Sequence, residues 1–343
     1  MRPPFSFHGP HARFAPLPNR VRRTIVRYLT HRLETDMALS RSLLRLAALA
    51  GLAALALGGP AHAQTLRQSQ ALALAQPQPQ PQPLRLCADG YSALGAGEAE
   101  TAVTAFEACL SEQLYDWPVE AELRARLGAA QLALGDGEAA LFSYNQVFAL
   151  VQSNGGDGDN PLIRRNRALA YMQLDRAQEA LEDIERALRA GPGDAFTQLL
   201  AGSAYLELDR PEEAVVAFDT ALRSDPEYLS AWIGRSAAFV EMGLDEQAVS
   251  DGREAVSIAP EDGGALNALC WALVQAGRAA DGLEICDAAV EAEPESGAIV
   301  HSRAAALEQL GRNDEAAQLY ARAHELAPDD PEITADYERI HGG

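Results

Sequence analysis

The sequence predicts an all-α solenoid of about seven helix hairpins, and three observations predict it. Prolines recur at 192, 226, 260, 294 and 328, each step 34 residues long with no insertion. A fixed period of that size belongs to stacked supersecondary units rather than to one globular core. Each step divides into two amphipathic stretches about a short turn, such as Leu208-Asp-Arg-Pro211 or Leu310-Gly-Arg-Asn313. Acids follow the turn (Glu212 and Glu213, Asp314 and Glu315), where a helix N-terminus favours negative charge. Small and large residues also keep their places from step to step. Gly202, Tyr205, Ala214, Phe218 and Ala221 before Pro226 correspond to Ala304, Leu307, Ala316, Tyr320 and Ala323 before Pro328.

Taken in chain order, residues 1–36 hold seven Arg and several Pro and read as an upstream extension, with translation starting at Met37. A transit peptide or a twin-arginine signal at Arg22-Arg23 is the alternative. Residues 37–63 have the three parts of a secretory signal peptide: Arg41 and Arg45, an apolar run from Leu43 to Leu57, and Ala61-His62-Ala63 as the cleavage site. Cleavage after Ala63 and a periplasmic location are expected. The fifteen-residue run is short against the roughly 20 residues of a membrane span, and no cysteine follows for a lipid anchor, so no stable membrane anchor is expected. Residues 64–83 form a Gln/Pro-rich linker whose alternating prolines over Gln76–Pro83 favour an extended polyproline spacer. The hairpins then run as 83–116, 121–154, 161–194, 195–228, 229–262, 263–296 and 297–330. Block 121–154 lacks the closing proline, and the Gly/Asp-rich stretch after it reads as an insertion. Residues 331–343 read as a capping helix whose polar face (Asp336, Glu338, Arg339) closes the stack.

The pattern resembles the tetratricopeptide repeat family. It has a small residue at repeat position 8, an aromatic or Leu at 11, Ala at 20, an aromatic at 24, Ala at 27 and Pro at 32, over about residues 84–330. That resemblance implies a right-handed superhelix and a protein-binding concave groove, and it leaves the partner unnamed.

The four cysteines fall in two hairpins, Cys87 and Cys109 at repeat positions 5 and 27, Cys270 and Cys286 at 8 and 24. A constant sum of positions places residues opposite one another in an antiparallel hairpin. Facing Cα atoms of packed helices lie roughly 4–5 Å apart, within reach of a disulfide at about 4.4–6.8 Å. An oxidising compartment would close Cys87–Cys109 and Cys270–Cys286; four buried thiols are the alternative reading.

Composition narrows the function. All 28 basic residues are Arg, which excludes Schiff-base chemistry and a P-loop lysine. Nine Arg and two acids lie in 1–63, leaving 19 Arg against 47 acids in 64–343, a formal −28. Such a field repels nucleic acid, so no nucleic-acid partner is expected. After the leader only His301, His324 and His341 remain. No nucleophile, phosphate-binding or metal motif occurs there, so no catalytic residue, cofactor or metal is assigned. Gly155–Asn160 has the composition of a calcium loop but not its distal Glu.

The family's first-helix positions 2, 5, 9 and 12 line the groove. Carried onto this chain they give Leu162, Arg165, Leu169, Met172, Phe196, Leu199, Leu206, Ile233, Val240, Asn267, Trp271, Val274 and His301. Arg165, with Arg126, is the only match to the family's carboxylate-gripping variants. The resemblance thus implies a non-catalytic scaffold that takes a peptide or helix segment of an envelope or secreted protein partner. An accessory or regulatory subunit of an envelope enzyme or assembly machine, or a homodimer filling its own groove, is the alternative.

Overall fold

The computed structural model describes residues 82–112, 115–191 and 193–342. Among them every regular element is an α-helix: α1 (Gln82–Ala96), α2 (Ala99–Glu112), α3 (Trp117–Ala133), α4 (Gly137–Ser153), α5 (Pro161–Gln173), α6 (Ala177–Ala190), α7 (Ala195–Glu207), α8 (Pro211–Ser224), α9 (Leu229–Glu241), α10 (Asp245–Ile258), α11 (Gly263–Gln275), α12 (Ala279–Ala292), α13 (Gly297–Gln309), α14 (Asn313–Leu326) and α15 (Pro331–His341). The protein is an all-α helical repeat array. The upstream extension, the leader with its Ala63 site, the linker up to residue 81 and Pro192 lie outside the described residues. No helix among the described residues is long and apolar enough to cross a membrane.

Two compact units are present, 82–208 with 220–226 and 209–219 with 227–342 among the described residues. In the first, α1 to α7 pack each on the next, and α1, α3, α5 and α7 also meet in turn. In the second, α9 to α15 repeat the pattern, with α9, α11, α13 and α15 in successive contact. Within each unit the first helix of a pair thus touches the first helix of the next.

Every hairpin turns through one residue of positive φ at the same repeat position: Gly97, Gly135, Asp175, Asp209, Gly243, Gly277 and Gly311. Gly, or Asp with its short polar side chain, suits this left-handed conformation. At Gly277 the turn closes with Gly277 N–H donating to Val274 O at 3.0 Å and Arg278 N–H to Leu273 O at 2.8 Å. This satisfies carbonyls that the helix end would leave bare.

Inside the first two pairs a small residue receives a large one. A Cβ on Gly128 would stand 2.9 Å from the Tyr144 ring, and one on Gly90 2.9 Å from Phe106. Tyr144 and Phe106 are fully buried, each burial worth roughly 2–3 kcal/mol. In the pair α11/α12 the same two positions hold Cys270 and Cys286, joined as a disulfide with Cα atoms 5.1 Å apart. A covalent bond stands there where four other pairs carry a ring at the second position, Phe106, Tyr144, Phe218 and Tyr320. The Cys87–Cys109 disulfide links α1 to α2, Cα to Cα 5.2 Å, and Tyr115 Oη lies 3.3 Å and 3.4 Å from its two sulfurs.

The second pair departs from the even repeat. Its helices are 17 residues each, against 13 and 14 in α11 and α12. With Gln152 at the position where the later blocks have Pro, α4 runs on to Ser153 before Gly155, at φ 80°, ends it. α3 starts at Trp117, four residues ahead of the expected block, because Pro118 is tolerated in a first turn. Likewise α1 takes in Gln82 and Pro83 from the end of the linker.

Candidate functional site

The first-helix face is described for each unit by itself. In the first, Arg165 is half-buried, its guanidinium 4.7 Å from the Phe196 ring centroid and 3.5 Å from Asp194. Phe196 is half-buried and Leu162 exposed, whereas Leu169, Met172, Leu199 and Leu206 lie in the core. In the second, Val240, Asn267 and Trp271 are half-buried, while Ile233, Val274 and His301 are buried. Seven of the expected groove residues are thus buried within the fold. Burial there does not follow side-chain size or polarity, since Met172 and His301 are covered and Val240 is not; contact between neighbouring first helices within a unit decides it. Arg165 is engaged by Asp194, and Arg126 by Glu122 at 3.5 Å, so neither stands as a ready carboxylate grip.

A set of arginine clamps was not foreseen from the spacing. Arg167, Arg235 and Arg303 share one repeat position in every second hairpin, 68 residues apart. Arg167 donates to Asp183 at 2.6 and 2.9 Å and stacks 3.9 Å from the Phe148 centroid. Arg235 donates to Asp251 at 2.7 and 3.0 Å and to Asp219 at 3.1 Å; Arg303 donates to Asp287 at 2.5 Å. Burial pushes the Asp251 carboxyl up against the pull of Arg235. The signal was present as Arg and Asp sixteen residues apart. Arg164 adds a second cation on Asp183 at 2.8 Å and also holds Asp159 at 2.8 Å. The acid of the Gly/Asp-rich insertion is thereby an ion-pair partner. Among the described residues no three His, Cys, Asp or Glu converge as a metal site.

At the C-terminal end α15 acts as one more first helix. His301 Nε2 lies 2.9 Å from Asp336 Oδ2, and its ring packs between Trp271 (5.9 Å between centroids) and Tyr320 (5.4 Å). Arg339 donates to Glu308 at 2.6 and 2.9 Å and to Asp336 at 2.9 and 3.0 Å, and Tyr320 Oη donates to Glu308 at 2.7 Å. Arg339 holds the Glu308 carboxyl below its usual range; at Asp336, burial works upward but hydrogen bonds from His301 and Arg339 outweigh it. Glu332 differs. Burial pushes its carboxyl up to about 7, opposed by the nearby His301. Asp336 and Arg339 are thus fastened to α13 rather than forming only an outer polar face, and nothing in the repeat pattern had singled out Glu332.

Six buried side-chain atoms have no hydrogen-bond partner among the described residues: Arg165 Nε, Gln173 Oε1, Ser230 Oγ, Asn267 Oδ1, Trp271 Nε1 and Glu332 Oε2. All six belong to first helices.

Tetratricopeptide repeat models match residues 212–338 and 149–195, about half of the chain between them. Among solved structures, a tetratricopeptide repeat protein from Parabacteroides merdae ATCC 43184 is 18% identical with a TM-score of 0.62, covering 75% of this chain and 98% of its own. PilW, a widely conserved type IV pilus biogenesis factor, is 20% identical at 0.53, covering 63% and 97%. These two likenesses show the fold. A thermophilic repeat protein from Thermus thermophilus is 23% identical at 0.48, covering 52% and 98%. No curated protein matches the sequence significantly.

Proposed function

The chain belongs to the tetratricopeptide repeat family, and we propose that it is an exported, non-catalytic scaffold that binds a segment of an envelope or secreted protein on its first-helix faces. The family's fold is that of a protein–protein interaction scaffold. The observation that carries the finer reading is that Phe196 in the first unit and Val240 and Trp271 in the second are apolar first-helix side chains left partly open, the kind of surface that seats a peptide or an amphipathic helix.

The test is site-specific photo-crosslinking in the producing cell, with benzoylphenylalanine placed at Phe196, Val240 or, as a control, Phe142, which is 64% exposed on the second helix α4. A protein adduct from Phe196 and Val240 with none from Phe142 is the expected result. Adducts from Phe142 alone would move binding to the second helices. An adduct at twice the chain's mass would replace the foreign partner by a second copy. N-terminal sequencing of the same sample should begin at Gln64; a start at Met1 or Met37 would remove the export reading.

A further inference from the structure

At the N-terminal end of the first unit, α3 projects an apolar turn beyond its repeat block. We infer that this turn is a docking site for polyproline chain, and that its occupant is the chain's own Gln/Pro segment, residues 76–81, which lies outside the described residues.

The turn is Trp117-Pro118-Val119. All three side chains are exposed, Trp117 at 40% and Val119 at 48%. They open α3, which begins ahead of the block expected to start at residue 121. At about 1.5 Å per residue, the extension carries Trp117 roughly 6 Å beyond an even repeat. Its base is held in place. Tyr115 packs on the core of the first pair, and its hydroxyl donates to Cys109 O at 3.1 Å while touching both sulfurs of the Cys87–Cys109 bridge. The same end receives the linker. Cys87 lies in the second turn of α1, which starts at Gln82. Because α2 runs back between them, α1 and α3 point the same way, and the two are in contact. Packed helix axes lie roughly 8–10 Å apart, so the chain entering α1 passes beside the projecting Trp117 turn.

The chemistry of the two matches. Residues 76–81 read Gln-Pro-Gln-Pro-Gln-Pro, and alternating proline favours polyproline II, with about three residues per turn. A proline at every second residue of such a helix puts Pro77, Pro79 and Pro81 on three different faces. One of them meets Trp117 whichever way the segment rolls. Aromatic surfaces seat polyproline because it is already ordered and loses little freedom on docking. The segment holds no charged side chain, so no ion is taken out of water. A single exposed turn is too small for the apolar stripe of an amphipathic helix. Attachment to α1 compensates for the small contact, since a short tether gives an effective concentration on the order of millimolar. Docked there, the segment fixes the direction in which the chain before it leaves the array.

The experiment incorporates 5-fluorotryptophan into the full chain and follows the fluorine resonances of Trp117, Trp232 and Trp271, with Trp117→Phe identifying the first by its loss. The comparison is with a Pro77→Ser, Pro79→Ser, Pro81→Ser variant. These substitutions lie ahead of the helix array, so unmoved Trp232 and Trp271 resonances report an intact fold. Residues 76–81 are present whether or not the leader is cleaved after Ala63, so the result does not depend on export. The expected result is that the Trp117 resonance alone moves in the variant, and that its shift between H2O and D2O rises as the ring is uncovered. A Trp117 resonance with the same position and the same solvent shift in both proteins would overturn the inference. A Trp117 resonance of the unsubstituted chain that moves on dilution would give the turn to the segment of a second copy, and would overturn the contact within one chain.

Discussion

Asp183 holds two guanidinium groups at once, and its side chain and that of Arg164 are 4% and 5% exposed. Removing one member of such a pair leaves a charge in a poor medium, at about 3–5 kcal/mol. Asp159, 58% exposed, still reaches Arg164 at 2.8 Å, which puts the expected loss for Asp183→Ala at the lower end, about 3 kcal/mol. Urea denaturation should show the lowered midpoint with an unchanged slope. A loss under ~1 kcal/mol would mean that water reaches Arg164 and the clamp is not closed. These clamps were hard to read beforehand for a physical reason. The 34-residue alignment is carried by small and aromatic core positions, whereas a clamp at alternate repeats has a 68-residue period and no hydrophobic signature. What was legible at this scale was the cysteine spacing, since opposed positions on a hairpin follow from helix geometry alone.

Among elements, α15 is where sequence and structure differ most in function. The pattern of hydrophobic and small residues was enough to place the helix pairs, because that pattern is what their packing requires. It did not say which first-helix side chains stay accessible. Accessibility depends on the neighbouring first helices, a non-local property, and so Leu199 and Ile233 are core while Val240 and Trp271 are not. The docking of α15 is set by acids of opposite pH response. Glu332 has a folded value of about 7 against an ordinary 4.5, so its contribution is fully present below about pH 4.5 and is lost as pH rises through 7. Asp336 and Glu308 are lowered, so theirs is present above their ordinary range and is lost as pH falls through their depressed values. Stability of the C-terminal unit should therefore decline between pH 5 and 8, by on the order of 2–3 kcal/mol at most. Glu332→Gln should remove that alkaline decline and leave the acid limb in place. Hydrogen exchange of the α15 amides across this pH range, corrected for intrinsic rates, is the measurement. Equal pH profiles for the two proteins would mean that the Glu332 carboxyl is solvated.

For the whole molecule, each compact unit contains one disulfide closed within a single hairpin, with sequence separations of 22 and 16 residues. Bridges this local do not tie distant repeats together. Each restrains one helix pair in the unfolded chain, by about 3 kcal/mol for loops of this length. In an array whose energy is the sum of repeat and nearest-neighbour contributions, the effect of losing one should stay near its origin. Cys270→Ala with Cys286→Ala should speed amide exchange in α11 and α12, and less in α10 and α13, while α1 and α2 keep the protection of the wild type. The loss should be sharpest here because the double variant also removes the pair's central packing element, which in α1/α2 and α3/α4 is a ring seated on a small residue, as Tyr144 is on Gly128. Intact mass sets the premise: the unreduced chain should weigh four hydrogens less than the reduced one. With that confirmed, protection lost equally in α1 and α12 would show that the repeats unfold as one cooperative body, and that the local staple model does not apply to this array.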